Sequence, residues 1–231
     1  MQGKTELFNI IRSARPDIPK DTVELWCKYL SQLKGCRLHS VASPEKDELE
    51  WLRARKVGIG GSEIAAIMGE SNWSSPRQVW MSKMGMYDDL PREKSEAAQW
   101  GNILEPVVAA EWSRRTGTKY VHIPVILVDE EREYLMANID GFTLSDDGET
   151  ITGILEIKTT SLHNREVWEV GPLPFNYICQ ANWYCGITRL PQYTLVCLVG
   201  GQRLYDRTLP AESALFERER NEADNFWLNY V

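Results

Sequence analysis

The sequence predicts a mixed α/β domain, and three observations carry that prediction. Helical and strand-type patterns interleave along the chain, in the order helix, helix, helix, three strands, helix, two strands, helix. At 231 residues the chain fits one domain of ordinary size, large enough to bury a core without disulfides or structural metals. Its composition, 43% hydrophobic with nine Trp, is that of a packed protein and not of a disordered one.

The elements follow in order. Residues 1–45 read as a helical extension preceding a domain over 46–231. A short helix is expected over 4–13. Pro16 and Pro19 separate it from a second helix, opened by a capping box at Asp21 and Glu24. That helix carries Leu25, Trp26, Tyr29, Leu30 and Leu33 and ends at Gly35. The extension shows no catalytic chemistry and is expected to pack on the core. Pro44 opens the next helix, which runs through Trp51 and Leu52 to Arg53 and Arg55. Ser62 then reads as the N-cap of a helix containing Ile64, Ala65, Ile67 and Met68. Ser75 and Gln78 form a second capping box with Pro76 at the first helical position, and Gly85 closes that helix. Trp73, just before it, is expected to be packed, with stacking on a frayed base as the alternative.

Residues 87–93 are polar and read as a mobile connection. A long helix over 95–116 presents Gly101, Glu105, Val108, Ala109 and Trp112. Pro106 should bend it, because the ring removes a helical hydrogen bond, and Gly117 should end it. A strand over 119–128 precedes a hairpin whose two arms, 134–139 and 151–157, flank the turn Ser145-Asp146-Asp147-Gly148-Glu149. Residues 161–174 read as a loop with His163 at the surface. Helix 175–187 places Tyr177, Gln180, Ala181 and Tyr184 on one face. Strands 194–199 and 203–209 turn at Gly200-Gly201, with Asp206 and Arg207 exposed. A final helix, 211–230, should dock through Leu215, Phe216, Phe226, Trp227 and Leu228.

Composition also excludes. No apolar run approaches the length needed to span a bilayer, and the opening residues lack the pattern of a signal peptide, so a cytoplasmic protein is expected. The five cysteines contain no CxxC and no Cys/His cluster; buried reduced thiols are expected, and no zinc or iron–sulfur site. The net charge of −7 argues against a generally basic surface, although basic residues confined to a groove remain compatible with a nucleic-acid substrate.

The chemistry concentrates in the hairpin. Asp140 ends its first arm, and sixteen residues later the second arm carries Glu156, Ile157 and Lys158. Strand side chains alternate, so Glu156 and Lys158 share one face while Ile157 points into apolar packing. Mg2+ prefers carboxylate, carbonyl and water oxygens, so Asp140, Glu156 and the Ile157 carbonyl form part of an octahedron for it. A metal held there polarises a phosphodiester and supplies hydroxide, with Lys158 placed to assist deprotonation or to steady the developing charge. The bland alternative is a solvated Glu156–Lys158 ion pair beside an Asp140 that caps Gly141. An isolated match of this kind arises readily by chance. Backbone N–H groups after Gly60-Gly61, the Ser62 hydroxyl and Arg55 likewise make a phosphate cradle, or an ordinary cap with a surface arginine.

The ordered set Arg55, Gly60-Gly61-Ser62, Gly101-Asn102-Ile103-Leu104-Glu105-Pro106, Asp140-Gly141, Glu156-Ile157-Lys158 and Tyr177-x-x-Gln180 resembles the YqaJ-type viral recombinase family, the phage lambda exonuclease-like branch of the PD-(D/E)xK nucleases. The resemblance covers roughly residues 50–205, and its specificity lies in order and context. The family's Pro-Asp is here Ile139-Asp140, which keeps the ligand carboxylate and loses only the proline. The resemblance implies a central mixed β-sheet flanked by helices, a restriction-endonuclease-like core, here with the helical N-terminal extension. It implies a Mg2+-dependent exonuclease, with Mn2+ an admissible substitute, acting 5′ to 3′ on double-stranded DNA and leaving 3′ tails for a single-strand annealing protein. Asp140, Glu156 and Ile157 are then metal ligands, with Glu105 an additional acid near the metals and Lys158 the group that activates the nucleophile. Arg55 and Ser62 hold phosphate, and Gln180 lies near the attacking water or the scissile phosphate. Relatives of this kind form a ring-shaped trimer around the duplex. The alternatives are an endonuclease or repair nuclease of the same superfamily, and a catalytically silent DNA-binding subunit.

Overall fold

A computed structural model describes residues 2–42, 47–86 and 95–231. The helix start at Pro44 and the polar segment 87–93 lie outside the described residues. Helices α1 (Lys4–Ala14) and α2 (Lys20–Leu30) lead into strand β1 (Cys36–Ser40), followed by α3 (Glu48–Lys56), α4 (Gly61–Ile67), α5 (Pro76–Lys83) and the long α6 (Glu96–Thr116). Strands β2 (Tyr120–Val121), β3 (Ile126–Asp129), β4 (Met136–Asn138), β5 (Gly141–Leu144) and β6 (Ile151–Thr160) come next. The chain closes with α7 (Arg165–Glu169), α8 (Phe175–Thr188), β7 (Gln192–Val199), β8 (Arg203–Pro210) and α9 (Ser213–Tyr230). The fold is the mixed α/β architecture expected. Among the described residues no helix is long and apolar enough to cross a membrane.

Five strands form the main sheet in the order β2-β5-β6-β7-β8, antiparallel except for the parallel β6–β7 pair, where Glu156 lies beside Leu195, Ile157 beside Val196 and Lys158 beside Cys197. Alternation along β6 sends its two faces to different helices. Leu155 and Ile157, with Val196, meet Val108, Ala109 and Trp112 of α6. Ile154, with Leu195 and Cys197, belongs to the larger core that includes Trp183 and Tyr184 of α8. Each large apolar side chain buried in these layers contributes about 1.5–3 kcal/mol.

Several boundaries differ from the sequence reading. Helix α2 starts at Lys20 behind Pro19, so Asp21 sits in its first turn and caps nothing; the helix stops at Leu30, and Gly35 instead supplies a turn with φ +71°. Cys36–Ser40, inside the stretch read as helical, is a strand that pairs with β3 and completes a second sheet, β1-β3-β4. The strand expected over 119–128 is two strands in different sheets, because Pro124 interrupts it and lacks the N–H that a continuous ladder needs. The hairpin's first arm is β5, paired to β6, whereas 134–139 contains β4 of the second sheet. Residues 161–174 hold a 3-10 turn and α7. Helix α6 continues through Pro106 as one unbroken helix. Trp73 is 81% exposed. Of the pair expected at the surface, Asp206 is exposed as expected, accepting from the Trp112 indole at 3.2 Å, whereas Arg207 is half-buried and donates to the carbonyls of Gly171 and Trp168. The Ser75–Gln78 capping box with Pro76, the Ser95 cap and the left-handed Gly117 stand where they were expected. All five cysteines are unpaired and buried.

The N-terminal helices bear on the hairpin directly. Tyr29 Oη donates to the Gly148 carbonyl at 2.7 Å, Gln32 bonds both the Glu149 carbonyl and the Ile151 N–H, and Lys28 pairs with Glu149 at 2.7 Å. The acid-rich turn is thereby tied to α2. On the other side, Ile59 exchanges main-chain bonds with β4 and its flank, donating to the Tyr134 carbonyl and accepting from Met136 N. That bridge carries the Arg55–Ser62 segment toward the end of the sheet where Asp140 lies.

Candidate active site

Asp140 occupies the link between β4 and β5, which changes sheets at that point. Its Oδ2 accepts from the Ile157 N–H at 2.8 Å, so the carboxylate takes the place of the next ladder partner beyond Gly141. A strand residue turns its N–H and C=O to the same side, and the Ile157 carbonyl therefore faces the Asp140 side as well. The His122 ring contacts the Asp140 carbonyl at 2.6 Å, a neighbour that the sequence reading did not single out.

Glu156 and Lys158 project from the opposite face of β6, under α8. Glu156 is 0% exposed and Lys158's side chain 19%. One carboxylate oxygen, Glu156 Oε1, accepts from Lys158 Nζ and, at 2.6 Å, from Gln180 Nε2. Gln180 Nε2 is also 3.3 Å from the Tyr184 hydroxyl, and Lys158 Nζ lies 5.2 Å from the centre of the Tyr177 ring. The shared helix face of Tyr177, Gln180 and Tyr184 thus covers the carboxylates. Glu156 Oε2 is buried and has no hydrogen-bond partner among the described residues.

The electrostatics follow from that burial. Desolvation pushes the Asp140 carboxyl up, against the lowering effect of Lys158. Desolvation and then the neighbouring Asp140 charge push Glu156 up. Burial pulls Lys158 down, but Glu156 and Asp140 outweigh it and hold the ammonium charged. Two carboxylates forced together in a dry place favour a partner that neutralises them. A hard divalent cation fits the donor set: the orphaned Glu156 Oε2, the Asp140 carboxylate and the Ile157 carbonyl are all oxygens.

Arg55 and Ser62 come together at one edge of the site. Arg55 Nη2 donates to Ser62 Oγ at 3.3 Å, and the guanidinium lies 4.5 Å over the Trp51 ring, whose indole in turn donates to Asn138. Ser62 does not cap α4 but lies in its first turn. Gly60 holds that position, and its N–H goes to Glu63 Oε2 at 2.8 Å. Gly61 touches Tyr184 so closely that a Cβ there would lie 2.6 Å from Cε1, which joins this segment to the helix carrying Gln180.

Glu105 lies on α6, the helix whose Leu104 and Val108 pack on the Leu155 and Ile157 face of β6. Among the described residues no three His, Cys, Asp or Glu side chains form a metal-binding group, so the site presents two carboxylates and a main-chain carbonyl. Tyr184 and the Lys83–Glu63 pair described below were not assigned a role from sequence. Tyr184 carried a signal, its i+7 spacing from Tyr177, whereas the partners of Lys83 lie 20 and 28 residues away and left none.

Comparison with known proteins places this geometry in context. Residues 50–191 match the model of the YqaJ-like viral recombinase domain. A Bacillus subtilis (strain 168) protein described as uncharacterized protein YqaJ is 33% identical over 185 residues, which is 79% of this chain and 56% of the relative. The chain therefore spans little more than half the length of that relative. Among solved structures, the alkaline exonuclease LHK-Exo from Laribacter hongkongensis superposes with a TM-score of 0.62 at 19% identity, covering 78% of this chain and 91% of the other. A phage-related exonuclease from Haemophilus somnus 129PT superposes with a TM-score of 0.52 at 14% identity, covering 75% and 93%. At these identities the likeness is one of fold.

Proposed function

Because the chain belongs to the YqaJ-like viral recombinase family, we propose that it is a Mg2+-dependent deoxyribonuclease that trims double-stranded DNA from its ends. Digestion runs 5′ to 3′ and leaves 3′ single strands for an annealing partner. The reading is carried by the meeting of Asp140, just before β5, with Glu156-Ile157-Lys158, where a buried carboxylate oxygen has no hydrogen-bond partner among the described residues. The fold likeness to exonucleases supports end-directed digestion over internal cutting. A ring of three copies around the duplex, and a cytoplasmic site of action, belong to the same proposal.

Asp140, Glu156 and the Ile157 carbonyl would hold the ion, Mg2+ or Mn2+; Glu105, on α6 and outside that donor group, would assist only through a second metal or a water. When bound, the divalent ion supplies Lewis acidity at the phosphodiester and lowers the pKa of water. Lys158, kept charged by the two acids, orients the attacking water and steadies the charge that grows on the phosphate. Gln180 engages Glu156 Oε1, which leaves Oε2 for the cation, and would act near the attacking water or the scissile phosphate. Arg55 and Ser62 offer a guanidinium fork and a hydroxyl to a phosphate oxygen. Tyr177 and Tyr184 wall the site, beside Lys158 and Gln180 respectively.

Linear duplexes labelled at the 5′ or the 3′ end, incubated with and without Mg2+, test the proposal. The expected result is metal-dependent loss of the 5′ label first, with a closed circular duplex left intact. Cutting of the circle would replace the exonuclease by an endonuclease. Binding of duplex without cleavage in Mg2+ would leave only a DNA-binding subunit.

A further inference from the structure

Lys83, the last residue of α5, is buried to a side-chain exposure of 2%. Its Nζ donates to the Arg55 main-chain carbonyl at 3.0 Å and to both oxygens of Glu63 at 2.8 Å. Glu63 Oε2 also takes the Gly60 N–H. A buried charge persists only when paired and hydrogen-bonded, and this pair meets both conditions.

Glu63 is also a neighbour of Arg55. The point where a Gly60 Cβ would stand is 3.2 Å from Arg55 Nη2 and 3.6 Å from Glu63 Oε2, so guanidinium and carboxylate flank the same small space. Arg55 nevertheless forms no ion pair among the described residues; it turns to Ser62 Oγ and stacks on Trp51. A carboxylate within reach of an arginine normally captures it, often through two parallel hydrogen bonds.

We infer that Lys83 is a positioning residue that keeps Arg55 available to phosphate, by occupying the Glu63 carboxylate that would otherwise close on the guanidinium. This rests on the phosphate-binding reading of Arg55. Loss of Lys83 leaves Glu63 without its cation, and Arg55 turns from Ser62 to replace it. The damage then comes from Glu63 and not from the missing lysine, so removing the acid as well restores Arg55. A role in holding the fold alone would show no such rescue.

The test is binding of a linear duplex with 5′ phosphates, followed by fluorescence anisotropy in EDTA, where no cleavage intervenes. Arg55→Ala should bind about tenfold more weakly, the weight of one hydrogen bond to a charged group. Lys83→Met should lose a similar factor, and Arg55→Ala should cost nothing further in that background. Glu63→Gln/Lys83→Met should return to within about twofold of wild type. Wild-type binding by Lys83→Met, or a double variant as weak as Lys83→Met, overturns the inference. Should Lys83→Met fail to fold, Arg55→Ala must still cost its full factor in the Glu63→Gln/Lys83→Met background, and no cost there overturns it too. If Arg55→Ala itself binds like wild type, the phosphate reading falls; if it binds weakly while Lys83→Met does not, only the role of Lys83 falls.

Discussion

Gly61→Ala separates packing from helix propensity at the seam between the two halves of the site. On propensity alone the change should help, since alanine is favoured over glycine in a helix by roughly 0.5–1 kcal/mol. The structure predicts the opposite. An added Cβ would lie 2.6 Å from Tyr184 Cε1, 2.8 Å from Cζ and 3.0 Å from the hydroxyl. The Tyr184 ring is 3% exposed and packed in the main core, so it cannot swing away freely. Overpacking of this kind costs about 1–3 kcal/mol. For a chain of this size each kcal/mol shifts Tm by about 2–4 °C, so a fall of several degrees is expected. Gly101→Ala provides the control: it lies within α6, and the nearest atom to its Cβ is Thr159 Oγ1 at an ordinary 3.5 Å, so Tm should hold or rise. Both variants can be followed by calorimetry, with duplex cleavage measured in parallel. Because Tyr184 also contacts Gln180, Gly61→Ala should slow cleavage even below its Tm. A Gly61→Ala protein that melts at or above wild type would refute the claim of a rigid contact.

Two further perturbations test other parts of the molecule. Glu219 of α9 is fully buried, receives the Asn182 amide at 3.3 Å and leaves Oε1 without a geometric hydrogen bond among the described residues; burial pushes its carboxyl from 4.5 up to about 8. The folded state therefore holds this proton more tightly than the unfolded chain. Its stabilising contribution is complete below about pH 4.5 and is lost as the pH rises to about 8, at most about 5 kcal/mol at 1.36 kcal/mol per pKa unit. Glu219→Gln should remove that loss, so urea titrations of the two proteins should diverge steadily between pH 5 and 8.5, and parallel profiles would contradict the assignment. Lys158→Ala should lower the cleavage rate by at least about a hundredfold while leaving duplex binding largely intact, and an unchanged rate would remove the lysine from the chemistry.

Much of this was legible in the chain because it is written in local chemistry. The Ser75–Gln78 box, the Ser95 cap, the Gly117 stop and the face of α8 each depend on residues within a few positions of one another. The alternation that sets Glu156 and Lys158 against Ile157 is equally local. What failed was assignment among strands. Residues 134–139 and 141–144 are both short and buried, and nothing in them says which one pairs with β6; the ladder from Gly141 to Leu155 decides it. Asp140 lies at the junction between the two segments and still meets Ile157, whichever of them is taken as the partner of β6. Strand β1 was hidden by its length, and the sheet change at Pro124 by the apolar residues on both sides of it. The packing of Tyr184 on Gly61 and of Lys83 on Glu63 joins segments far apart in sequence, where periodicity carries no information.

The cation site can be tested without DNA or turnover, through binding of Mn2+ followed by the electron paramagnetic resonance signal of the free ion. The wild-type protein should take up the ion and quench that signal, whereas Asp140→Asn and Glu156→Gln, each removing one of the two carboxylates that meet beside Ile157, should leave it near full strength. Equal uptake by wild type and both variants would show that the ion, if bound at all, is held elsewhere.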